Sequence, residues 1–351
     1  MDDHTSGKHM VLRGYLGAWF PILGKTQDRI AFIDGFAGPG EYRDGEMGSP
    51  IIALDTYENH PATMRAKVSF LFIEKEQRRA EHLQTMVKPY RARLGSRVNI
   101  EVEHGAFDES MSRLFDAISE KNGVLIPAFV MVDPFGISQT PMSVIARILK
   151  NPKSEVYVSF MWEFLNRFRE HENFEAHLDE LFGCPEWREA IEIPDTNARK
   201  AFLFSLYRDC LRRAGAKYVV HFELYRGREA VYAIFFATSS ELGCDKMKQA
   251  IWKADPVSGT RFVPGSQDVL DLFADDMTSF ANEIFTTISG KGWVAFNRLK
   301  RWAMTDKTGF HSGQLKGALR TLEADDRIDV APGTRKRAAT FPDGTMLRAR
   351  T

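Results

Sequence analysis

Apolar residues recur at three- and four-residue steps between residues 12 and 23, which predicts an amphipathic helix. Short apolar runs of strand length follow, separated by helical stretches, at residues 30–34, 68–74, 98–104, 128–133 and 156–160. Strands that alternate with helices are typical of a parallel sheet covered by helices on both faces. The pattern therefore predicts an α/β fold.

The predicted sheet ends in an antiparallel pair. Two further strands, at residues 218–225 and 230–238, flank the short polar connection Arg226-Gly227-Arg228-Glu229, which contains the glycine of a hairpin. Residues 163–216, between the fifth strand and this hairpin, are polar, aromatic and helical in pattern, and they are longer than a simple crossover. We interpret them as a helical insertion over the functional face of a first domain, residues 1–265.

The pattern changes in a second domain, residues 277–351. Three helices are predicted at about 279–289, 293–304 and 312–324, followed by two short strands near 328–330 and 338–341. This is the order of a winged helix. The third helix and the loop between the strands carry the candidate nucleic-acid contacts Lys316, Arg320, Arg335, Lys336 and Arg337. Docking to another protein remains the alternative use of this domain.

Composition and charge narrow the class of protein. The 351 residues are 44% hydrophobic and 27% charged, which excludes a disordered chain and a coiled coil. Basic and acidic residues balance at 47 each, but residues 281–351 hold 13 basic and 7 acidic side chains, which favours an anionic partner for that part.

No apolar run approaches the roughly 18 residues that cross a bilayer, and the N-terminus lacks a secretory pattern, so we expect a cytoplasmic protein without membrane contact. Cys184, Cys210 and Cys244 have neither zinc-site nor disulfide spacing, so we predict structural thiols and no metal.

Candidate ligand-binding residues follow the first two strands. The first strand runs into a glycine-rich turn, where the backbone can approach a ligand closely. The candidates in this turn are Asp34, Phe36, Gly38 and Gly40. The second strand ends in Glu74, an acid suited to accept hydrogen bonds from ribose hydroxyls. A solvated strand-end acid is the alternative for Glu74. The turn has neither the Gly-Lys-Ser/Thr of a P-loop nor a third glycine, because that position is Arg43. A nucleoside without a pyrophosphate fits better, and the turn resembles motif I of class I methyltransferases, which bind S-adenosylmethionine.

The residues that follow the third and fourth strands also resemble methyltransferase motifs. Phe107 and Asp108 follow the third strand, where that family usually places an apolar residue against adenine and an acid on its amino group. Asp133-Pro134-Phe135 follows the fourth and is similar to the Asp-Pro-Pro-Tyr/Phe loop of amino-methyltransferases. In such a loop the Asp accepts a hydrogen bond from a base amine while the ring stacks on the base. The second proline of the family loop is missing, and a simple strand-ending turn is the alternative.

A closer resemblance covers roughly residues 5–260. The chain resembles the three-Cys-motif partner protein (TcmP) family in Lys8-His9, residues 32–40, 42–45, 48–54 and 132–136, Met247-Lys248 and Ile251-Trp252-Lys253. The resemblance implies a Rossmann-like class I methyltransferase sheet and a three-Cys-motif, radical-S-adenosylmethionine-like partner protein. Lys8 and His9 also resemble a pair in a bacterial ribosomal-RNA adenine methyltransferase, which implies that Lys8 pairs the methionine carboxylate. A solvated N-terminal basic pair is the alternative. Asn166 and Arg167, past the fifth strand, are candidates for the acceptor pocket.

These observations predict an S-adenosylmethionine-dependent methyltransferase that acts on nucleic acid. The main alternative is a non-catalytic nucleotide- or S-adenosylmethionine-binding adaptor that recruits the partner protein to DNA or RNA. The incomplete Asp-Pro-Phe-Gly loop at residues 133–136 favours that alternative. A nucleotide-binding transcriptional regulator is a third hypothesis, motivated by the second domain alone.

Overall fold

The computed structural model describes residues 3–42, 45–136, 139–168, 172–227, 229–262 and 277–350. Its large sheet contains eight strands, namely β1 (Arg29–Asp34), β2 (Lys67–Glu74), β3 (Val98–His104), β4 (Ala128–Val132), β5 (Glu155–Phe160), β6 (Tyr218–Arg226), β7 (Glu229–Thr238) and β8 (Arg261–Phe262). Their order across the sheet is β3-β2-β1-β4-β5-β7-β6-β8. Strands β1 to β5 are parallel, whereas β7 is antiparallel to both β5 and β6. The predicted parallel sheet followed by an antiparallel pair is confirmed, but the sheet does not end there, because the two-residue β8 adds in parallel to β6.

Helices cover both faces of this sheet. Along β1, Ala31 and Ile33 belong to one hydrophobic cluster, whereas Ile30 and Phe32 belong to the other, as the two-residue period of a strand requires. The first cluster includes residues of α4 (Phe107–Glu120), α5 (Met142–Leu149), α6 (Trp162–Phe168), α7 (Glu172–Phe182) and α8 (Thr196–Arg213). The second includes residues of α1 (Asp3–Thr26), α2 (Ser49–Glu58), α3 (Gln77–Leu94) and α9 (Glu241–Ala254). The core is therefore split by the sheet into two layers.

The predicted helical insertion forms much of the first layer. Helix α6 begins two residues after β5, and α7 and α8 pack against α5, with a short 3₁₀ helix at Glu186–Glu192 between them. Trp187 of that 3₁₀ helix is buried, and its indole N–H donates to Asp179 at 2.9 Å. The insertion thus covers a face of the sheet as a structural layer. Cys184, Cys210 and Cys244 are all free thiols.

The C-terminal unit contains three helices and a small sheet. Its elements are α10 (Thr278–Ile288), β9 (Val294–Ala295), α11 (Phe296–Ala303), α12 (Leu315–Ala324), β10 (Ile328–Val330) and β11 (Met346–Ala349), and the strand order is β10-β11-β9. The boundary predicted between residues 265 and 277 lies outside the described residues.

The strand predicted at residues 338–341 is wrong, because the chain turns there and pairs with β10 only from Met346. The Thr340 hydroxyl donates back to the Arg337 carbonyl at 2.6 Å, and Phe341 inserts into the core of the unit. The apolar character that suggested a strand belongs to this inserted ring.

The two units meet along α9. Lys248 reaches into the loop between α11 and α12, and the Trp252 indole N–H donates to the Gly309 carbonyl at 3.0 Å. Asp245 accepts hydrogen bonds from the backbone N–H of Ser312 at 2.7 Å and from its hydroxyl at 2.8 Å. These contacts fix the second unit on a helix that itself packs against α1. A membrane-spanning helix is not found among the helices of the described residues.

Candidate functional site

Two adjoining cavities lie at the carboxyl ends of the parallel strands. One, of about 550 Å³, has in its lining Gly38, Tyr42, Ser49 and Asp133. The other, of about 450 Å³, is lined among others by Glu74, Lys75, Gly105, Phe107 and Pro134. Three residues, Phe36, Arg79 and Phe135, line both cavities. The residues after β1, β2, β3 and β4 therefore contribute to one continuous site, at the edge where ligands of open α/β sheets bind.

The glycine-rich turn after β1 is held from below by Asp34. Asp34 is fully buried, and its carboxylate accepts a hydrogen bond from the Phe36 N–H at 3.1 Å and one from the Ser49 hydroxyl at 2.6 Å. Burial raises the pKa of Asp34 to about 6, against the lowering effect of these two donors. Asp34 therefore stabilises the conformation of the turn through hydrogen bonds on its buried side. The sequence reasoning missed Ser49, whose signal was the Gly-Ser-Pro stretch ahead of α2.

Glu74 braces the same turn from β2. Its Oε2 accepts the Gly38 N–H at 2.8 Å, and its Oε1 accepts the Glu76 N–H at 2.8 Å. Each oxygen thus retains a lone pair for a further donor. Gly38 has φ +63°, and a Cβ atom there would have no heavy atom within 4 Å, so the turn opens directly onto the cavity. At Gly40, with φ +88°, a Cβ atom would instead meet the Leu83 side chain at 2.8 Å.

The residues after β3 form the inner wall of the second cavity. The Phe107 ring is buried and lies 5.6 Å from the Phe36 ring, centroid to centroid. It also occupies the space that a Cβ atom at Gly35 would need, 2.3 Å away. Next to it, Oδ1 of Asp108 is buried and has no hydrogen-bond partner among the described residues. Asp108 is not among the described lining residues of either cavity, although a buried acceptor normally has a partner.

Asp133 faces the first cavity in an ion pair with Lys8. Oδ2 of Asp133 contacts Nζ of Lys8, which is buried and lies 5.8 Å from the centroid of the Tyr232 ring. Burial opposes the charge on Lys8, but Asp133, Tyr232 and Tyr42 together outweigh it, so the pKa of Lys8 is raised above its ordinary value. Burial lowers the pKa of the adjacent His9 to about 4, and the Lys8 charge adds to this effect.

The Asp133 side chain is 21% exposed, and the Phe135 ring after it is 84% exposed at the mouth of the site. The structure therefore brings a carboxylate and an accessible ring to the cavity. Pro134, between them, lines the second cavity.

One of the two residues predicted for the acceptor pocket, Asn166, has other surroundings. Asn166 Oδ1 accepts a hydrogen bond from Nε of the buried Arg199 at 3.0 Å, and Asn166 is not among the described lining residues of either cavity. This contact ties α6 to α8 within the insertion. The side chain of Arg167 lies outside the described residues. The described residues also contain no group of three or more His, Cys, Asp or Glu placed to hold a metal ion.

The predicted basic residues of the C-terminal unit come together in space. Lys316, Arg320, Arg335, Lys336 and Arg337 all line a hollow of about 690 Å³. Arg335 is mostly buried in a two-point ion pair with Glu323, one contact of which is 2.7 Å, and Nε of Arg320 donates to the Ala339 carbonyl at 3.1 Å. Lys336 and Arg337 are exposed. The hollow therefore combines structural and accessible cations.

Fold and site together define a class of protein. The strand order, with an antiparallel β7 between β5 and β6, is that of the Rossmann-like sheets of class I methyltransferases, and the glycine turn lies at the carboxyl end of the central β1. No family model matches the chain, and no curated protein matches it.

Solved structures provide distant likenesses. Trm1 from Pyrococcus horikoshii, solved with S-adenosyl-L-methionine, is 11% identical with a TM-score of 0.39, over 82% of this chain and 87% of that one. The O-methyltransferase from Bacillus cereus, in complex with SAH, is 14% identical with a TM-score of 0.34, over 64% and 80%. The METTL16 methyltransferase domain is 14% identical with a TM-score of 0.32, over 64% and 66%.

Proposed function

We propose that the protein is an S-adenosylmethionine-dependent methyltransferase that acts on an amino group of a nucleic-acid base. The observation that carries this proposal is the meeting of two groups of residues at one edge of the sheet. Gly38 and Glu74 form an open, braced turn, and Asp133 and Phe135 stand beside it around the same continuous space. The first group is suited to a nucleoside and the second to a planar amine.

The residues present fit S-adenosylmethionine, which supplies an electrophilic methyl group when bound. Both oxygens of Glu74 retain acceptor capacity for ribose hydroxyls. Phe107 offers an apolar wall for adenine in the second cavity. Oδ1 of Asp108, the next residue, is a buried acceptor without a described partner and is the candidate for the amino group. The open space at Gly38 leaves room for the chain of the molecule to pass the turn. Lys8, a buried cation at the other end of the site, is suited to its carboxylate.

At the acceptor end, Asp133 and Phe135 would orient the amine. The described partner of the Asp133 carboxylate is Lys8 at Oδ2, so Oδ1 remains as the acceptor for an N–H of the base. A hydrogen bond there withholds electron density from the ring and keeps the nitrogen lone pair directed at the methyl group. The exposed Phe135 ring provides a stacking surface for a base taken out of its strand. Holding both groups in line supplies most of the rate, through proximity.

A second candidate function is the non-catalytic adaptor. The observation that favours it is the Lys8–Asp133 ion pair, which already uses one oxygen of the proposed acceptor-binding carboxylate. The loop also has Phe135 where the family loop has its second proline. A protein of this kind would bind S-adenosylmethionine and nucleic acid without joining them in a reaction.

Methyl transfer to nucleic acid separates the two candidates. We expect the wild-type protein, given methyl-labelled S-adenosylmethionine with DNA and RNA, to label a base amine that nucleoside analysis identifies. We expect Asp133→Ala to lower the rate by at least about a hundredfold while cofactor affinity stays within a few-fold. Full transfer by Asp133→Ala would remove Asp133 from the reaction. Cofactor binding by wild-type protein without transfer to either nucleic acid would establish the adaptor.

We further propose that the C-terminal unit is a winged helix that contacts nucleic acid. Its helix order, its three-stranded sheet and the exposed Lys336 and Arg337 beside Lys316 support this interpretation. The three-Cys-motif partner protein is proposed from the sequence resemblance alone. Co-purification of the two proteins, with and without nuclease treatment, tests that association, and its absence in both conditions would refute it.

A further inference from the structure

The mouth of the site is formed by residues that line both cavities. Two of them, Arg79 and Phe135, are accessible: the Arg79 side chain is 45% exposed and Phe135 is 84% exposed. A guanidinium group and an aromatic ring are therefore both accessible beside the two cavities. This combination is typical of surfaces that hold single-stranded nucleic acid, where rings stack on bases and cations contact the backbone.

The Arg79 guanidinium forms an exposed ion pair with a nearby carboxylate. Its Nε lies 2.6 Å from Oε2 of Glu76, three residues earlier. Within the described part of the chain this is the one ion pair of Arg79, so its two terminal nitrogens have no protein acceptor. A guanidinium held at Nε presents these terminal nitrogens as a fork, which matches two oxygens of one phosphate.

The position of Arg79 favours a phosphodiester over the other anions of the proposed reaction. S-adenosylmethionine has no phosphate, and its carboxylate already has a candidate partner in Lys8, beside Asp133. A base stacked on Phe135 has its own backbone phosphates a few bonds away, whereas an acidic protein would gain nothing from the exposed ring. We infer that Arg79 binds a backbone phosphate of a nucleic-acid strand whose base lies on Phe135. This inference rests on the proposed function and specifies its substrate as a strand with an intact phosphate backbone.

Arg78 provides a matched control, because it neighbours Arg79 on the same helix, is also exposed, and lines neither cavity. The probes are labelled single-stranded DNA and RNA of mixed sequence, and fluorescence anisotropy measures their affinity over a range of salt concentrations. We expect Arg79→Ala to weaken binding roughly tenfold. It should also reduce the salt slope by about 0.7, the value for one phosphate of a single strand. Arg78→Ala should change the affinity by less than about twofold, as for an exposed charge outside the site.

Two further measurements sharpen the test. Arg79→Lys should restore the salt slope but only part of the affinity, because an ammonium group lacks the fork. A strand with an uncharged methylphosphonate backbone should bind wild-type protein and Arg79→Ala equally. Calorimetry should show the same S-adenosylmethionine affinity for both proteins.

The inference is overturned if Arg79→Ala and Arg78→Ala bind the charged strand equally, or if wild-type protein binds no strand. Loss of S-adenosylmethionine binding in Arg79→Ala would also overturn it, because Arg79 would then belong to the cofactor site. Failure of the proposed function has a different signature, namely that the wild-type protein does not bind S-adenosylmethionine. The comparison of strand affinities can still be made in that case.

Discussion

Replacing Lys248 by methionine is predicted to release the C-terminal unit from the first one. Lys248 lies on α9, is only 2% exposed, and points its ammonium group into the loop between α11 and α12. There it donates to four backbone carbonyl oxygens, those of Ala303 at 2.5 Å, Thr305 at 2.7 Å, Thr308 at 3.2 Å and Phe310 at 2.6 Å. Burial removes water from the ammonium group and thereby lowers the pKa of Lys248. The four carbonyl groups provide the hydrogen bonds that water would otherwise make.

The magnitude follows from what methionine leaves behind. The side chain has a similar length but no donor, so four carbonyl groups in the loop lose a partner. An orphaned buried acceptor costs about 1–3 kcal/mol, and the variant also removes the cost of burying the ammonium charge. Water that enters the loop offsets part of this. We therefore expect docking to weaken by about 3 kcal/mol, or roughly a hundredfold in the docking equilibrium.

Hydrogen exchange measures this opening directly, because residues 303–310 and the face of α9 that meets them become exposed to solvent when the units separate. Lys253→Met is the matched control: Lys253 is on the same helix, is exposed, and forms no hydrogen bond or ion pair with the second unit among the described residues. We expect faster exchange on both sides of the junction in Lys248→Met alone. Equal exchange in the two variants would refute the role given to the carbonyl contacts of Lys248.

Replacing Lys336 and Arg337 together by glutamate is expected to weaken nucleic-acid binding and flatten its salt dependence, whereas an unchanged slope would indicate a protein-docking surface. Arg335→Ala is expected to destabilise the C-terminal unit by about 1 kcal/mol in thermal unfolding, because it breaks the pair with Glu323. Burial raises the pKa of Glu155 from 4.5 to about 7, so the folded protein binds this proton more tightly than the unfolded chain. The stability of wild-type protein relative to Glu155→Gln should therefore fall by about 3 kcal/mol as pH rises across that window, and a constant difference in denaturant unfolding would contradict this.

Local patterns predicted the sheet because each strand carries its own signal. The third strand was predicted at its observed bounds, Val98–His104, since its alternation lies within seven residues. The glycine turn was also readable, because its position after the first strand places it at the ligand-binding edge. The strand at 338–341 failed for a physical reason: one buried ring, Phe341, gives the same apolar signal as a strand face.

Contacts between distant residues could not be read from the sequence in the same way. Lys8 and Asp133 are 125 positions apart, and the sequence reasoning gave each a separate ligand. Lys248 was noticed only as part of a family resemblance, and its role depends on four carbonyl groups that carry no side-chain signal. Arg335 was predicted as a nucleic-acid contact because its pairing with Glu323 exists only in the folded unit.

Calorimetric titration with S-adenosylmethionine and S-adenosylhomocysteine tests the central claim most directly. The comparison is between wild-type protein and a Gly38→Val, Glu74→Ala double variant, with circular dichroism to confirm that both are folded. Valine would strain the φ of +63° at position 38 and project into the open space, and the second change removes the brace and the ribose acceptor. We predict micromolar binding by the wild-type protein that is lost in the folded variant. No binding by wild-type protein, or equal binding by both, would contradict the proposed cofactor site.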